Sequence, residues 1–522
     1  MLYNLNWLEE GRSFPPLCES DRILRYRQNA ALFDGDHFDN SKFRHRNGIS
    51  PSIMEMYQAC ASRISRVVGN FEDVISFPVL LNYQRLMTLK MADLVCGEYP
   101  SITGANASEN KAIKDAREYS DFDEKLYSTV IDISRYGDAV LRVYKDEEQD
   151  RPTFTVWDPT EWYPVVSQDG TNTIKYHCIC WVENRKQYPD EADDFHLHVQ
   201  IHGTDRRSWG TYEYRVYKMG SLGSTIGRLE EQEIRKTGVD CCAVMSLAAY
   251  KVSNCVYGYD DYMPIDSLLA EIMTRVGQIS VILDKHADPN ITGPVSMLQV
   301  DPVTGERKLG HGKFFAINSG ETPPSYMVWD GQLTAAFKEL EILINQLYIL
   351  SEMGAALLGS TDGGSQAVSG TAMRFKMVNP LAKARRISNS LTNPLKKLFS
   401  LLCSEEVQSD SVSVEWKDGL PDDPRENIEI AKLATGATKL MPLEDAIMEY
   451  FNRSNPEAAQ WIKKIRSETE ENMNLVTGNS SDDDDDNPNK PGPQDGTGIN
   501  PQKKGSETGL KNFSGESNKK AD

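Results

Sequence analysis

The residues of this chain that are best suited to binding form a long run of cations without acids. Between Gly363 and Ser404 the sequence contains no Asp or Glu, although the whole chain has a formal net charge of −20 at pH 7. A basic segment inside an acidic protein is suited to contact phosphate, or acidic surfaces of neighbouring subunits. A solvated helix face is the alternative. Its seven cations are Arg374, Lys376, Lys383, Arg385, Arg386, Lys396 and Lys397.

Histidines and cysteines form the main candidate for a metal site. His196, His198 and His202 share a parity on a predicted strand, so their side chains point the same way, and Cys178 and Cys180 lie nearby in sequence. Imidazole and thiolate are ligands of zinc. Their spacing matches no zinc-finger pattern, however, and histidines on a solvent-exposed face look the same. We therefore predict no metal and no cofactor.

Three pairs of adjacent aspartates are the remaining candidates for catalysis. Paired carboxylates can hold the metal of a nuclease, but each pair lies beside a predicted turn or helix start, where carboxylates cap free amide groups. No complete nucleotide-binding P-loop and no nucleophile elbow are present. We therefore predict that the protein is not an enzyme. The pairs are Asp193-Asp194, Asp260-Asp261 and Asp422-Asp423.

The composition limits the class of protein. A length of 522 residues predicts two to four domains or lobes, and a hydrophobic content of 39% is low for one compact enzyme. The nine cysteines have no regular spacing, which favours a reducing compartment over a disulfide framework. We expect no signal peptide and no membrane span. The acidic balance argues against a protein that wraps nucleic acid.

The hydrophobic pattern predicts an α+β fold. Helices are predicted over residues 15–68 with an internal polar loop, over 79–95 and over 111–136. Period-two segments then predict strands. These are residues 139–144, 153–157, 162–166, 174–182, 195–201, 211–218 and 243–251.

Two long amphipathic helices are predicted in the second half of the chain. They cover residues 264–286 and 332–353 and enclose a short β-rich insert, as in an antiparallel helix pair. The basic segment predicts a third long helix, bent or broken near Pro380 and Pro394. Further on, the pattern predicts a strand over 412–416, a small helical bundle over 423–465 and a polar tail that does not fold.

Several short patterns occur along the chain in a characteristic order. They are Leu32-Phe-Asp-Gly-Asp-His37, Met91-Ala-Asp-Leu-Val-Cys-Gly-Glu-Tyr-Pro100, Arg135-Tyr-Gly-Asp-Ala-Val140, Trp157-Asp-Pro159, Ser369-Gly-Thr-Ala-Met-Arg374, Leu420-Pro-Asp-Asp423 and Leu440-Met-Pro-Leu-Glu-Asp445. Together with the order of helix, β insert, helix, loop and bent helix, they resemble the portal proteins of tailed bacteriophages. The similarity is to the type common in phages of Gram-positive hosts, and it spans roughly residues 20 to 470.

The resemblance implies a phage portal fold with named parts. These are a β-rich wing (1–262), a first stem helix (263–287), a small β clip (288–330), a second stem helix (331–357), a tunnel loop (358–371), a kinked wing helix with a strand (372–419), a helical crown (420–470) and a disordered tail (471–522).

The resemblance also implies a function. Such proteins form a ring, usually of twelve copies, at one capsid vertex, and viral DNA is packaged and ejected through its axis. The basic helix would then meet DNA or a neighbouring subunit. The tunnel loop would face double-stranded DNA and contact it without base readout. The DNA-facing residues implied are Ser360, Thr361, Asp362, Gly363, Gly364, Ser365 and Gln366.

The implied partners are those of a portal in a virion assembled in the host cytoplasm. They are further copies of the chain, the major capsid and scaffolding proteins, the terminase large subunit and a head–tail connector (adaptor) protein, with no membrane. The alternative is a minor capsid or head-completion protein that forms no channel. A metal-dependent nuclease is a third, more distant interpretation.

Overall fold

The computed structural model describes residues 1–37, 79–287, 291–292, 298–300, 307–309, 320, 325–326, 333–359, 374–403, 407–417, 424–436, 440–451 and 455–477. The chain divides into two compact units, Met1–Asp423 and Pro424–Asp522. Among the described residues, no helix is both long and apolar enough to cross a membrane.

Helices of the first unit begin and end at residues suited to those positions. Asn106 accepts a hydrogen bond from the Glu109 amide, and Glu109 accepts one from the Asn106 side chain, which together cap a helix start. Gly35 and Gly137 end two helices in the left-handed conformation. The helices are α1 (Ser20–Asp34), α2 (Tyr83–Cys96), α3 (Ala107–Tyr119), α4 (Phe122–Tyr136), α5 (Asp266–Ala287), α6 (Leu333–Leu350), α7 (Gly354–Leu357) and α8 (Val378–Leu402).

The strands between α4 and α5 form two antiparallel sheets. One has three strands in the order β3-β2-β9, and the other has five in the order β4-β5-β6-β7-β8. A separate two-stranded pair joins β1 (Ser101–Thr103) to β14 (Ser413–Glu415). The sheet strands are β2 (Asp138–Asp146), β3 (Arg151–Trp157), β4 (Trp162–Val166), β5 (Ile174–Asn184), β6 (Phe195–Gly203), β7 (Thr211–Met219), β8 (Ile226–Lys236) and β9 (Val244–Ala248).

Both faces of the five-stranded sheet are packed. On one face, Val199 and Cys180 form a cluster with N-terminal residues such as Trp7. On the other face, Trp162 and Ile179 pack with residues of the three-stranded sheet. Strand β4 is apolar and buried along its whole length because both of its faces are covered. The predicted α+β class is confirmed.

Helix α8 is the centre of the largest core. Its apolar side packs with α2, α4 and the three-stranded sheet in one continuous cluster. Phe399 is fully buried there, edge-on to Phe122 with ring centroids 4.9 Å apart. Burial of apolar surface along α8 therefore holds the basic segment to the rest of the unit.

Helices α5 and α6 pack against each other. Arg275 of α5 forms an ion pair with Glu339 near the start of α6 at 2.9 Å. Leu347, near the end of α6, is buried in the same cluster as Ile265 and Leu269 at the start of α5. The two helices are therefore antiparallel. Between them, β10 (Ile291–Thr292) pairs with β13 (Ser325–Tyr326), and β11 (Leu298–Val300) pairs with β12 (Arg307–Leu309).

The second unit contains three described helices, α9 (Pro424–Ala434), α10 (Leu443–Phe451) and α11 (Asn455–Thr477). Ala446, Ile447 and Ala458 are buried. Phe451 and Trp461 lie with their ring centroids 6.1 Å apart. The described part of residues 423–465 is thus a small helical bundle, as predicted.

The structure differs from the predicted elements in several places. The single helix over 111–136 is two helices, because the chain turns at Asp121, where φ is 51°. Strand β8 has no predicted counterpart, since it is a charged edge strand with little alternation. Pro380 lies in the first turn of α8, where a missing amide costs nothing, whereas Pro394 lies inside the helix.

The core position of α8 predicts unequal effects of two identical substitutions. Phe399→Ala removes a fully buried ring, so we expect the free energy of unfolding to fall by about 3–5 kcal/mol. Phe375→Ala is the matched control because that side chain is 76% exposed, and we expect a change within about 0.5 kcal/mol. Urea denaturation monitored by circular dichroism measures both. Similar losses for the two variants would contradict this placement of the core.

Candidate functional site

Helix α8 carries most of the basic segment, and its apolar side is buried. Ile387, Leu391, Leu395 and Leu398 recur at spacings of three or four residues, which places them on one face of the helix. All four are nearly inaccessible to water. The cations consequently differ in burial according to their position around the helix.

Lys383 is the buried cation of the segment. Only 7% of the residue is exposed. Its Nζ lies 2.8 Å from Oδ1 of Asp261 and donates to the carbonyl oxygen of Ser351 at 3.1 Å. A buried ammonium group is tolerated only with such partners. Lys383 therefore joins α8 to the segment before α5 and to the end of α6.

Asp261 extends this contact into a buried polar network. Its Oδ2 accepts a hydrogen bond from Ser134 of α4 at 2.6 Å. The hydroxyl groups of Ser134 and Tyr262 both lie within hydrogen-bonding distance of the Thr88 hydroxyl of α2, at 3.2 and 2.8 Å. Helices α2, α4, α6 and α8 therefore meet around one carboxylate.

Arg386 makes a second contact with the end of α6. It forms an ion pair with Glu352, and its guanidinium lies 5.6 Å from the ring centroid of Tyr250. Glu352 has a positive φ of 58°, so the chain turns sharply as it leaves α6. We call Asp261, Ser351, Glu352, Lys383 and Arg386 the anchor cluster.

The other cations of the basic segment face outward. Arg374, Lys376, Arg385 and Lys397 are exposed, and Lys396 is partly buried. Among the described residues, no carboxylate lies within 4.0 Å of Lys376, Arg385, Lys396 or Lys397. The predicted basic site is therefore divided into the buried Lys383, the exposed Arg386 that pairs with Glu352, and an outward-facing set.

The predicted DNA-facing residues 360–366 lie outside the described residues. The chain on either side of them is described. Gly354 and Gly359 have φ values of 68° and 82°, which glycine adopts without strain. The anchor cluster has residues on both sides of the loop, Ser351 and Glu352 before it and Lys383 and Arg386 after it. Their contacts hold the two sides together.

The histidines and cysteines proposed for zinc lie on opposite faces of the sheet. Cys178 pairs with Ile201 and packs in the apolar cluster with it, whereas His198 and His202 project from the other side of β6. Burial raises the pKa of the Cys178 thiol to about 12, so it stays protonated. Among the described residues, no three His, Cys, Asp or Glu side chains are grouped to hold a metal ion.

Each histidine instead has a structural contact. His198 lies 2.8 Å from Glu183 and 2.6 Å from the Tyr214 hydroxyl. His196 lies 3.1 Å from Glu230. The ring of His202 is stacked on Tyr212, as in the other packed aromatic contacts of this sheet.

The described aspartate pairs bind cations or backbone amides. Asp260 accepts hydrogen bonds from the amides of Tyr262 and Met263 and forms an ion pair with Arg25 at 2.8 Å. Asp193 and Asp194 pair with lysines on the surface of the five-stranded sheet. Asp422-Asp423 lies outside the described residues. The predicted capping role is thus seen at Asp260, while Asp261 belongs to the anchor cluster.

Substitutions in the anchor cluster test how much it contributes to the stability of the first unit. In Lys383→Met, the partly buried carboxylate of Asp261 loses its cation, so we expect the free energy of unfolding to fall by roughly 3 kcal/mol, the lower end of the range for a buried pair. Adding Asp261→Asn should recover part of that loss, because no uncompensated charge remains. Urea denaturation measures both variants.

Lys376→Met is the matched control, since Lys376 is exposed. We expect this variant to change the unfolding free energy by no more than about 0.5 kcal/mol. The structural role of Lys383 fails if both substitutions have equally small effects, or if the double variant is no better than Lys383→Met alone.

Three solved structures resemble the fold. They are described as "Neck of native GTA particle computed with C12 symmetry" (10% identity, TM-score 0.41, covering 70% of this chain and 89% of that chain), "Virion of native gene transfer agent (GTA) particle" (11%, 0.42, 75% and 98%) and "Neck of empty GTA particle computed with C6 symmetry" (11%, 0.43, 70% and 89%). A search of the curated proteins found no match.

The sequence also matches the model of a protein family. That family is described as phage portal protein, SPP1 Gp6-like, and the match covers residues 78–193 and 331–475, which is half of the chain. The matched ranges include α6, α8 with the buried Lys383, α9, α10 and nearly all of α11. The chain belongs to the phage portal protein family.

Proposed function

We propose that this protein forms a ring-shaped channel at one vertex of the phage capsid, through which double-stranded DNA is packaged and later ejected. Membership of the portal family supports this role. In this proposal α5 and α6 are the stem, the β insert between them is the clip, the preceding sheets are the wing and the second unit is the crown. The family is structural, and we propose no catalytic step.

The outer face of α6 provides the main structural argument for a ring. Leu340, Leu343 and Leu347 pack inward against the first unit's core. Ile342 and Ile349 are 52% and 62% exposed, and they lie on the side away from this packing. Their spacing of seven residues repeats after two helical turns, as along the seam between packed helices. An isolated chain leaves this ridge in water, and a neighbouring copy would cover it.

The dimensions of a ring follow from helix packing. Packed helices lie about 10 Å apart, so twelve inner helices give a circle of roughly 19 Å radius. Subtracting about 5 Å for the radius of a helix leaves a lumen about 28 Å across, which passes a B-form duplex. Six copies would leave only about 10 Å by the same arithmetic.

The charge distribution suits a duplex that must slide. A net charge of −20 repels phosphate over most of the surface and disfavours tight binding. The outward-facing cations of the basic segment offer a limited attraction, either to DNA or to an acidic surface of the next subunit. Arg385 and Lys396 lie on the same face of α8, and their Cα atoms are about 16 Å apart along the helix axis. Contact with phosphate in this way is independent of sequence.

The remaining partners follow from the position of a portal in the virion. We propose that the clip binds the terminase large subunit during packaging and the head–tail connector protein afterwards. The wing would face the major capsid and scaffolding proteins. The tunnel loop would contact DNA through small polar side chains and backbone.

Substitutions on the ridge of α6 test the ring directly. We expect Ile342→Asp combined with Ile349→Asp to leave a folded monomer, because the interface would have to bury two unpaired carboxylates per copy. Sedimentation velocity gives the oligomeric state, and end-on electron microscopy counts the subunits of the wild-type ring. Ile234→Asp is the matched control, since Ile234 is 77% exposed on β8 and lies in another part of the unit.

Two results would contradict the proposed ring. One is full assembly of the doubly substituted protein, which would exclude the α6 ridge as an interface. The other is a wild-type protein that stays monomeric under assembly conditions, or an annulus too narrow for a duplex, which would exclude the channel itself.

The tunnel loop is tested by restricting its backbone. Replacing Gly363 and Gly364 with Pro removes the freedom of both positions. We expect less DNA per capsid, measured by quantitative hybridisation of nuclease-protected genomes. Gly496→Pro combined with Gly498→Pro, in the polar tail that is predicted not to fold, controls for the introduction of two prolines. Unchanged packaging and retention would count against a role of the loop.

A further inference from the structure

Arg142 occupies an unusual position between the two sheets. It lies in β2, where it pairs with Thr155 of β3 and Val244 of β9. Its side chain is on the same face as Val140, which packs against the five-stranded sheet. The guanidinium lies among three aromatic rings, with centroid distances of 5.8 Å to Tyr144, 5.5 Å to Trp157 and 5.8 Å to Tyr212.

Arg142 has no carboxylate partner among the residues that the structure describes. Its Nε is shielded from water and makes no hydrogen bond. Burial lowers the pKa of its guanidinium, and electrostatic interactions with the hydroxyl groups of Tyr212 and Tyr144 only partly offset this. Two comparably placed arginines behave differently. Burial also disfavours the charge of Arg25 and Arg135, but their ion pairs with aspartates outweigh it and raise their pKa values.

The cleft in front of Arg142 contains further donors. Lys145, Lys236 and Tyr212 line it, together with the Tyr144 ring and Thr237. Lys145 forms an ion pair with Asp150 at 2.6 Å, and the structure describes no ion pair of Lys236. Donors from β2, β7 and β8 thus converge on one opening between the two sheets.

Three acids at the rim also face this cleft. Asp146 is the last residue of β2, and Glu147 and Glu148 lie in the turn between β2 and β3. Asp146 accepts hydrogen bonds from the amides of Glu148 and Gln149, so its carboxylate holds the turn. Glu147 and Glu148 are exposed. Water therefore screens their charges more than that of Arg142, which is partly buried.

We propose that this cleft binds an oxyanion, a carboxylate or a phosphate, which pairs with Arg142 and is held at the rim by Lys236 and Tyr212. The planar guanidinium offers parallel N–H groups that match two oxygens of such a ligand. The ligand supplies the negative charge that no described carboxylate supplies to Arg142. In this partly buried position, opposite charges attract each other more strongly than in bulk water. The aromatic rings fix the guanidinium for this contact.

The anion has two possible sources, a free phosphate ion or an acidic side chain of a docked protein. Equilibrium dialysis of the full-length protein separates them, with inorganic phosphate in one arm and a short oligo-aspartate peptide in the other. We expect saturable binding in at least one arm. Binding of phosphate points to the free ion, and binding of the peptide alone points to a protein carboxylate.

Arg142→Gln should weaken that binding about tenfold or more, since it removes a charge-assisted pair. Arg228→Gln is the matched control. Arg228 is an exposed arginine near the start of β8 and does not line the cleft, so we expect unchanged binding. Tyr212→Phe keeps the ring, removes the hydroxyl and should weaken binding about threefold, which provides a test if Arg142→Gln does not fold.

The proposal is overturned by the absence of saturable binding to both probes. It is also overturned if Arg142→Gln binds as tightly as the wild type, or if Arg228→Gln loses as much affinity as Arg142→Gln. Where Arg142→Gln does not fold, unchanged binding by Tyr212→Phe is the result that overturns it.

Discussion

The buried ion pair between Lys383 and Asp261 is the contact on which the arrangement of the first unit depends. Removing an ammonium group from water is costly, and the cost is offset only when its partners are placed correctly. Here those partners come from the chain before α5 and from the end of α6. A displaced helix would leave a bare charge in the core. The pair therefore selects one geometry, even if its net contribution to stability is small.

Because of this ion pair, the cations of the basic segment have two different roles. Lys383 and Arg386 are three residues apart, so they lie on the same side of α8, and both contact the chain just after α6. Arg385 is between them in sequence but projects elsewhere, and it has no ion pair among the described residues. One run of positive charge thus contains an anchor within the subunit and an outward-facing set. A charge count along the sequence does not separate the two, because the separation arises from helical geometry.

Periodicity predicted most of the secondary structure from sequence. The strands of the two sheets and the helices α5, α6 and α8 follow from regular apolar spacing. Strand β8 was missed because charged residues cover an exposed edge, and the turn at Asp121 was missed because an aspartate there gives no break in the helical pattern. The anchor cluster could not be foreseen. Asp261 and Lys383 are distant in the sequence, and neither carries a local signal for the other.

The anchor cluster also bears on how a channel would withstand the passage of DNA. Both flanks of residues 360–373 are tied to the same carboxylate region, through Ser351 and Glu352 on one side and Lys383 and Arg386 on the other. A force applied to either flank is therefore transmitted to a polar network that includes residues of α2 and α4. It does not act on the end of one helix alone. Because this network lies within one subunit, the load would pass into the main core before it reached the contacts between copies. The rigidity of the site would then come from the fold of each chain, and the ring would be needed only to close the channel.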